Sequence, residues 1–289
     1  MWHALRLRLA GLGVVTACLT SRRYRRSCMA TYLERILARH RERAAADVRQ
    51  LADVMAAAAA IPAVRPFAAS LQRAAASGEL AVISEVKRRS PSKGALNVDL
   101  DPAELASRYA DGGAAAMSVL TDEEFFGGSV ADLQAARAAV TLPVLRKDFT
   151  VSALDVCDAR LMGADCVLLI AAALTRDELI AMHALADVIG IEVLVEVHDE
   201  PELDVALAAG ARMVGVNQRD LVTFQVDHDR AARMAGAIPR DVVKIAESGV
   251  RGAGDARALQ LAGYHAVLVG ETLVTSSDPI ATLRELRGA

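Results

Sequence analysis

Aromatic residues are scarce in this chain: phenylalanine, tryptophan and tyrosine together make up 3% of its 289 residues. Hydrophobic residues still reach 53%, so the core has to be built from aliphatic side chains and alanine. Cysteine is scarce too. Cys18, Cys28, Cys157 and Cys166 form no CxxC pair and no His/Cys cluster, which removes zinc modules and disulfide scaffolds. They are read as reduced residues of a cytoplasmic protein. His183, His198, His228 and His265 show no ligand spacing and are read as ordinary surface or satisfied residues, and no metal site is expected. Long hydrophobic runs are missing. The apolar stretch at 9–17 is too short to cross a bilayer, so no stable membrane association is expected. Net positive charge is missing from the body of the chain. Residues 1–28 hold six arginines and no acid, and removing those six from a net charge of −3 leaves −9 for the rest. An acidic body argues against nucleic acid as a partner and suits a small anionic ligand met by a local basic loop.

Residues 1–28 differ in character from the rest of the chain. Val15-Thr16-Ala17-Cys18 after a basic start loosely resembles a lipoprotein cleavage box, but Arg22-Arg23-Tyr24-Arg25-Arg26 comes directly after it. The segment is expected to be a basic extension, disordered or due to an upstream start, with the functional chain beginning at Met29.

From Thr31 to about Arg49 the pattern is that of an amphipathic helix, with Leu33, Ile36 and Leu37 on one face. An alanine-rich stretch and a second helix near 66–75 come next. Strict alternation then begins. Apolar strands are expected at 81–86, 115–120, 143–146, 165–170, 192–196, 213–216, 243–246 and 266–269, with helices between them. Asp101, Thr175 and Asp199 stand as helix N-caps, and Gly113, Gly163, Gly210 and Gly263 as helix ends before a strand. Strands that are apolar throughout are buried on both faces. The expected fold is α/β: one (β/α)8 TIM barrel over 81–287, with two extra N-terminal helices within 31–77, the whole forming a single catalytic domain over 29–289. A doubly wound open sheet is the alternative.

In such barrels the chemistry lies at the C-terminal ends of the strands. Strand one ends in Glu85 and Lys87, which period-two geometry points to one side, followed by a loop with Arg89, Ser90 and Lys93. Ser118 ends the second strand, ahead of Phe126. Lys147, Glu196 and Asn217 end the third, fifth and sixth, with Arg219 and Leu221 following. Glu247, Ser248 and Gly249 end the seventh, and Gly270 and Glu271 the eighth. Two lysines, three carboxylates and an asparagine therefore converge on one mouth. Loops after the last two strands commonly grip phosphate through backbone amides, which suits Ser248-Gly249 and Gly270-Glu271.

These blocks together closely resemble indole-3-glycerol-phosphate synthase of tryptophan biosynthesis: Glu85-Val86-Lys87-Arg88-Arg89-Ser90-Pro91-Ser92, Phe126-Gly127-Gly128-Ser129, Leu145-Arg146-Lys147-Asp148-Phe149, Gly215-Val216-Asn217-Gln218-Arg219-Asp220-Leu221, Ala246-Glu247-Ser248-Gly249 and Val269-Gly270-Glu271. The resemblance covers about residues 30–287. It implies ring closure of 1-(2-carboxyphenylamino)-1-deoxyribulose 5-phosphate to indole-3-glycerol phosphate, with loss of carbon dioxide and water and without cofactor or metal. It also implies Lys147 as general acid and Glu196 as general base. Lys87, Glu85, Asn217 and Glu247 would assist, Arg219 would bind the substrate carboxylate or tether a loop, and Phe126, Leu168 and Leu221 would pack on the aromatic ring. The family often has Gln or Asn where this chain has Gly127, so a side-chain contact from that position is not expected here. The partner is a small phosphorylated substrate, and the protein is expected to be a monomer or weak homo-oligomer. Three rivals stand beside this reading, the third being a cell-surface lipoprotein that rests on Cys18 alone. Phosphoribosylanthranilate isomerase needs a cysteine at a strand end, and none is there. A non-catalytic phosphate-binding barrel would not need both lysines and Glu196.

Overall fold

A computed structural model describes residues 31–288. The expectations for residues 1–28 lie outside the described residues. Eight parallel strands close into a barrel: β1 (Ala81–Val86), β2 (Ala116–Leu120), β3 (Val144–Lys147), β4 (Cys166–Ile170), β5 (Glu192–Val197), β6 (Met213–Asn217), β7 (Val243–Glu247) and β8 (Ala266–Val269). Closure is made by β1 pairing with β8 at Ala81↔Ala266 and with β2 at Ile83↔Ala116. The open doubly wound sheet is thereby excluded.

Helix ends obey the chemistry of their residues. Asp101, Thr175 and Asp199 each accept first-turn amides through the side chain. Gly113, Gly163, Gly210 and Gly263 all take left-handed φ, between 83° and 97°, where the chain leaves a helix for a strand.

Three helices precede the barrel, not two: α1 (Tyr32–Ala46), α2 (Leu51–Ala59) and α3 (Phe67–Ala76). The alanine-rich stretch is itself α2. Its high helix propensity suffices once Val54 and Ala58 find a core to pack on. Helix α3 closes the N-terminal end of the barrel. Phe67 and Leu71 are fully buried among the lowest inward residues, Ala81, Ala116, Cys166, Met213, Val243 and Ala266. Glu192, at the start of β5, fixes this plug by accepting the amides of Phe67 and Ala68, each at 2.8 Å. No helix among the described residues is long and apolar enough to cross a membrane.

Truncating Phe67 to alanine should leave a cavity in the barrel floor and cost about 3–5 kcal/mol of folding free energy. Urea unfolding of the variant against the wild type measures this, and a loss under about 1 kcal/mol would show that α3 is not a structural plug.

Candidate active site

Period-two alternation inside the barrel stacks apolar residues below and charged ones above. Along β7 the inward residues are Val243, Ile245 and Glu247, and along β3 Leu145 and then Lys147. The topmost inward layer is Glu85, Lys147, Glu196, Asn217 and Glu247, all five at strand ends. The four that are not lysine are at most 6% exposed. The Lys147 ammonium lies 2.9 Å from Glu196 Oε2 and 3.7 Å from Glu247 Oε2. Asn217 Nδ2 donates to Glu196 Oε1 at 2.9 Å. Lys87 donates to Glu85, which confirms that the two side chains point to one side. Gly215 makes room for this layer, because a Cβ there would run into the Glu247 carboxylate.

Burial works against each of these charges, and their neighbours decide the outcome. For Lys147 burial disfavours the ammonium, but Glu196, Glu247 and Glu85 outweigh it and hold its pKa above the ordinary lysine value. Burial also pushes the Glu196 carboxyl up. Lys147, His198 and the Asn217 amide together bring it well below normal, so Glu196 is a firm carboxylate. For Glu247 burial and the Glu196 charge act together and exceed the pull of Lys147, so its carboxyl is raised. One lysine thus sits between an ionised and a proton-holding carboxyl, with Glu247 Oε1 buried and unpartnered.

Above this layer is a cavity of about 350 Å³. Its walls include Glu85, Lys87, Ser90, Phe126, Lys147, Glu196, Asn217, Arg219, Leu221, Glu247, Ser248, Gly249, Gly270 and Glu271 among the residues expected from sequence, along with Leu168. Two expected residues stand elsewhere. Ser118 is fully buried within β2 and does not reach the cavity. Arg89 turns away from it and donates to the carbonyls of Glu123 and Glu124, at 3.0 and 2.6 Å, tying the loop after β1 to the loop after β2. Gly127 fits this latch. It has a left-handed φ of 66°, and a Cβ would stand 3.2 Å from Arg89 Nε. Arg219 lines the wall, but its guanidinium donates to Phe224 O at 3.1 Å, so it tethers its own loop. His198 is not an ordinary surface histidine: its Nε2 lies 3.8 Å from Glu196 Oε1.

Sequence reading missed part of the wall. Phe149 lines the cavity 6.2 Å from Phe126, ring to ring, and α1 adds Tyr32, Leu33 and Ile36 as a roof. Helix α1 is pinned by His40, whose Nε2 is 2.9 Å from Asp122 Oδ2 and 3.8 Å from Asp148 Oδ1. The apolar face of α1 signalled burial, but nothing in its spacing says against what. His40, Asp122 and Asp148 have the donor types of a metal site. Their oxygens are already committed: Asp122 accepts the Phe125 amide at 2.6 Å, and Asp148 takes Arg146 at 3.0 Å and the Thr121 hydroxyl. The cluster is a polar clasp between α1 and the barrel rim.

Fold and site together define a (β/α)8-barrel enzyme with a buried lysine–carboxylate cluster under a partly aromatic cavity. Solved barrels share the architecture. Thiamine phosphate pyrophosphorylase from Pyrococcus furiosus superposes with a TM-score of 0.55 at 16% identity, over 72% of this chain and 94% of that one. 3-hexulose-6-phosphate synthase from Salmonella typhimurium gives 0.57 at 15%, over 72% and 97%. At such identities they speak for the fold alone. The family model for indole-3-glycerol phosphate synthase matches residues 33–286. Indole-3-glycerol phosphate synthase 2 of Streptomyces coelicolor is 54% identical over 231 residues, 80% of this chain and 88% of that protein. The synthase of Mycobacterium avium is 51% identical over 236 residues, 82% and 85% of the two chains. The chain belongs to the indole-3-glycerol phosphate synthase family, and its reaction is the carboxy-lyase ring closure of tryptophan biosynthesis.

The raised Glu247 carboxyl has a stability signature. Above the unfolded glutamate pKa of about 4.3 the unfolded chain ionises while the folded chain keeps the proton, so this group makes stability fall as pH rises toward the folded value. Glu247→Gln should therefore gain stability relative to wild type across that window. Urea midpoints from pH 5 to 8 measure it, and a difference that does not change with pH would contradict the raised carboxyl.

Proposed function

We propose that Lys147 is the general acid and Glu196 the general base of the ring closure. The observation that carries this is their 2.9 Å ion pair at the floor of the cavity. The ring carbon bearing the substrate carboxylate attacks the ketone, and Lys147 protonates the oxygen as negative charge develops there. In the resting pair Lys147 is a weak acid, because the Glu196 carboxylate holds its proton. A ketone entering between Lys147 and Glu196 loosens that hold and makes the proton available. Carbon dioxide then leaves, and Glu196 removes a carbon-bound proton and passes it to the hydroxyl, which departs as water. Lys87, steered by Glu85, faces the same space and assists dehydration or meets the substrate carboxylate. Asn217 orients Glu196.

The substrate aromatic ring fits between Phe126, Phe149, Leu168 and Leu221. The phosphate fits the opposite wall, where Ser90, Lys93, Ser248, Gly249 and the Gly270-Glu271 amides meet. Lys93 already lies 3.4 Å from Glu271 and has to exchange that partner for the phosphate. Gly270 has a second duty, since a Cβ there would collide with the Glu85–Lys87 pair. The reaction so described needs no cofactor or metal. We further place the protein in the cytoplasm, as a monomer or weak homo-oligomer without nucleic-acid partners, and its catalytic domain at residues 29–289.

Steady-state kinetics in buffer containing EDTA test these roles. Lys147→Met and Glu196→Gln should each lower kcat by roughly 10²-fold or more. Lys147→Arg should fail as well, because a guanidinium does not readily release its proton. Near wild-type turnover in Lys147→Arg would make Lys147 an electrostatic anchor and move the acid to Lys87, and wild-type loss in EDTA would sink the metal-free reading. Gly249→Ala, at a left-handed φ of 78°, should chiefly raise KM. An unchanged KM would place the phosphate elsewhere.

A further inference from the structure

The reaction has a proton balance that the acid–base pair alone does not close. The substrate carboxylate leaves as neutral carbon dioxide, and its bonding electron pair stays with the ring system. Ring closure turns the ketone oxygen into a hydroxyl at the expense of one proton. Dehydration then removes one carbon-bound proton and gives one to the leaving hydroxyl, with no net change. Each turnover therefore takes up one proton from solvent, while the substrate fills the cavity over Lys147.

Beside Glu196 stands a titratable group that these steps do not use. His198 comes directly after β5. Its backbone amide and its Nδ1 both engage Glu202 Oε2, at 2.7 and 3.1 Å, which fixes the ring. Its Nε2 is buried, has no hydrogen-bond partner and lies 3.8 Å from Glu196 Oε1. Glu196 Oε2 in turn touches Lys147. His198 lines a second cavity of about 300 Å³ together with Glu202, Asp199, Asp220 and Arg230, and Glu196 is not among its walls. Of these charged groups Arg230 alone opposes a proton on the ring. Burial opposes it too, and the two flanking carboxylates overcome both.

We propose that His198, held by Glu202, delivers to the Lys147–Glu196 pair the proton that each turnover consumes. After Lys147 has protonated the substrate, the His198 Nε2–H bond breaks as an O–H bond forms on Glu196, and Glu196 passes that proton from its other oxygen to the free amine of Lys147. A shift of under about 1 Å brings Nε2 to hydrogen-bonding distance. The neutral ring is reloaded when its bond to Glu202 breaks and it turns so that Nε2 leaves Glu196, takes a proton from solvent in the second cavity and returns. His198 touches Glu196 and not the substrate, so it is a positioning and relay residue.

This relay rests on the acid–base roles proposed for Lys147 and Glu196. The test compares the full-length wild type with His198→Asn in weak buffer, with His198→Gln in reserve should that variant not fold. Indole fluorescence tracks the first turnover with enzyme in excess and then the steady state, while an indicator dye tracks proton uptake. The first turnover should stay within about twofold, since Lys147 starts out charged. The steady-state rate should fall about tenfold or more and recover as imidazole is added to the buffer. An unchanged steady state, an equal loss in the first turnover, or a loss that imidazole does not restore would each overturn the proposal. Full turnover in Lys147→Met would instead overturn the acid–base reading beneath it.

Discussion

Everything at the mouth of this barrel stems from the cost of burying charge. Two ammonium groups and three carboxyls converge on the floor of one cavity, and an isolated ion there would be far less stable than in water. The arrangement answers that cost by pairing. Lys87 takes Glu85, Lys147 takes Glu196, and the surplus carboxyl, Glu247, keeps its proton. The same pairing gives each group its chemistry. In the proposed roles Glu196 is ionised to accept a proton and Lys147 is charged to give one once substrate enters, and neither role requires a cofactor.

That pairing depends on elements far from it in sequence. Helix α3 fills the barrel floor with Phe67 and Leu71, so the charged layer rests on packed hydrocarbon. Helix α1 roofs the cavity and is held by His40 against Asp122 and Asp148. Asp148 neighbours Lys147 in the chain, so the clasp fixes the strand end that carries the proposed acid. The loop after β1 is latched by Arg89 onto the loop after β2. An enclosed, low-dielectric cavity strengthens every electrostatic contact within it, which makes the preamble helices part of the catalytic environment.

Much of this was legible in the chain. Apolar runs of strand length between capped helices give an eight-fold alternation, because a strand buried on both faces tolerates few polar residues and a helix terminus needs its orphan amides satisfied. Glu85 and Lys87 share a side because side chains alternate along a strand. Strand-end charge marked the mouth, since charge is excluded from the layers beneath. The number of preamble helices was misread, because an alanine-rich stretch gives no amphipathic contrast to signal α2.

Sequence by itself determined what is local and periodic: strand positions, helix caps, the inward-facing strand ends and, through the specific blocks around Lys87 and Lys147, the family. Tertiary structure decided what depends on partners brought from a distance. It turned Arg89 away from the cavity and sealed Ser118 inside β2. It set Phe149 and α1 into the wall, and it placed His198 beside Glu196. It also separated two glutamates of identical chemistry into a carboxylate and a proton-holding acid. No spacing encodes that difference, because it arises from which neighbours each carboxyl meets once water has been removed.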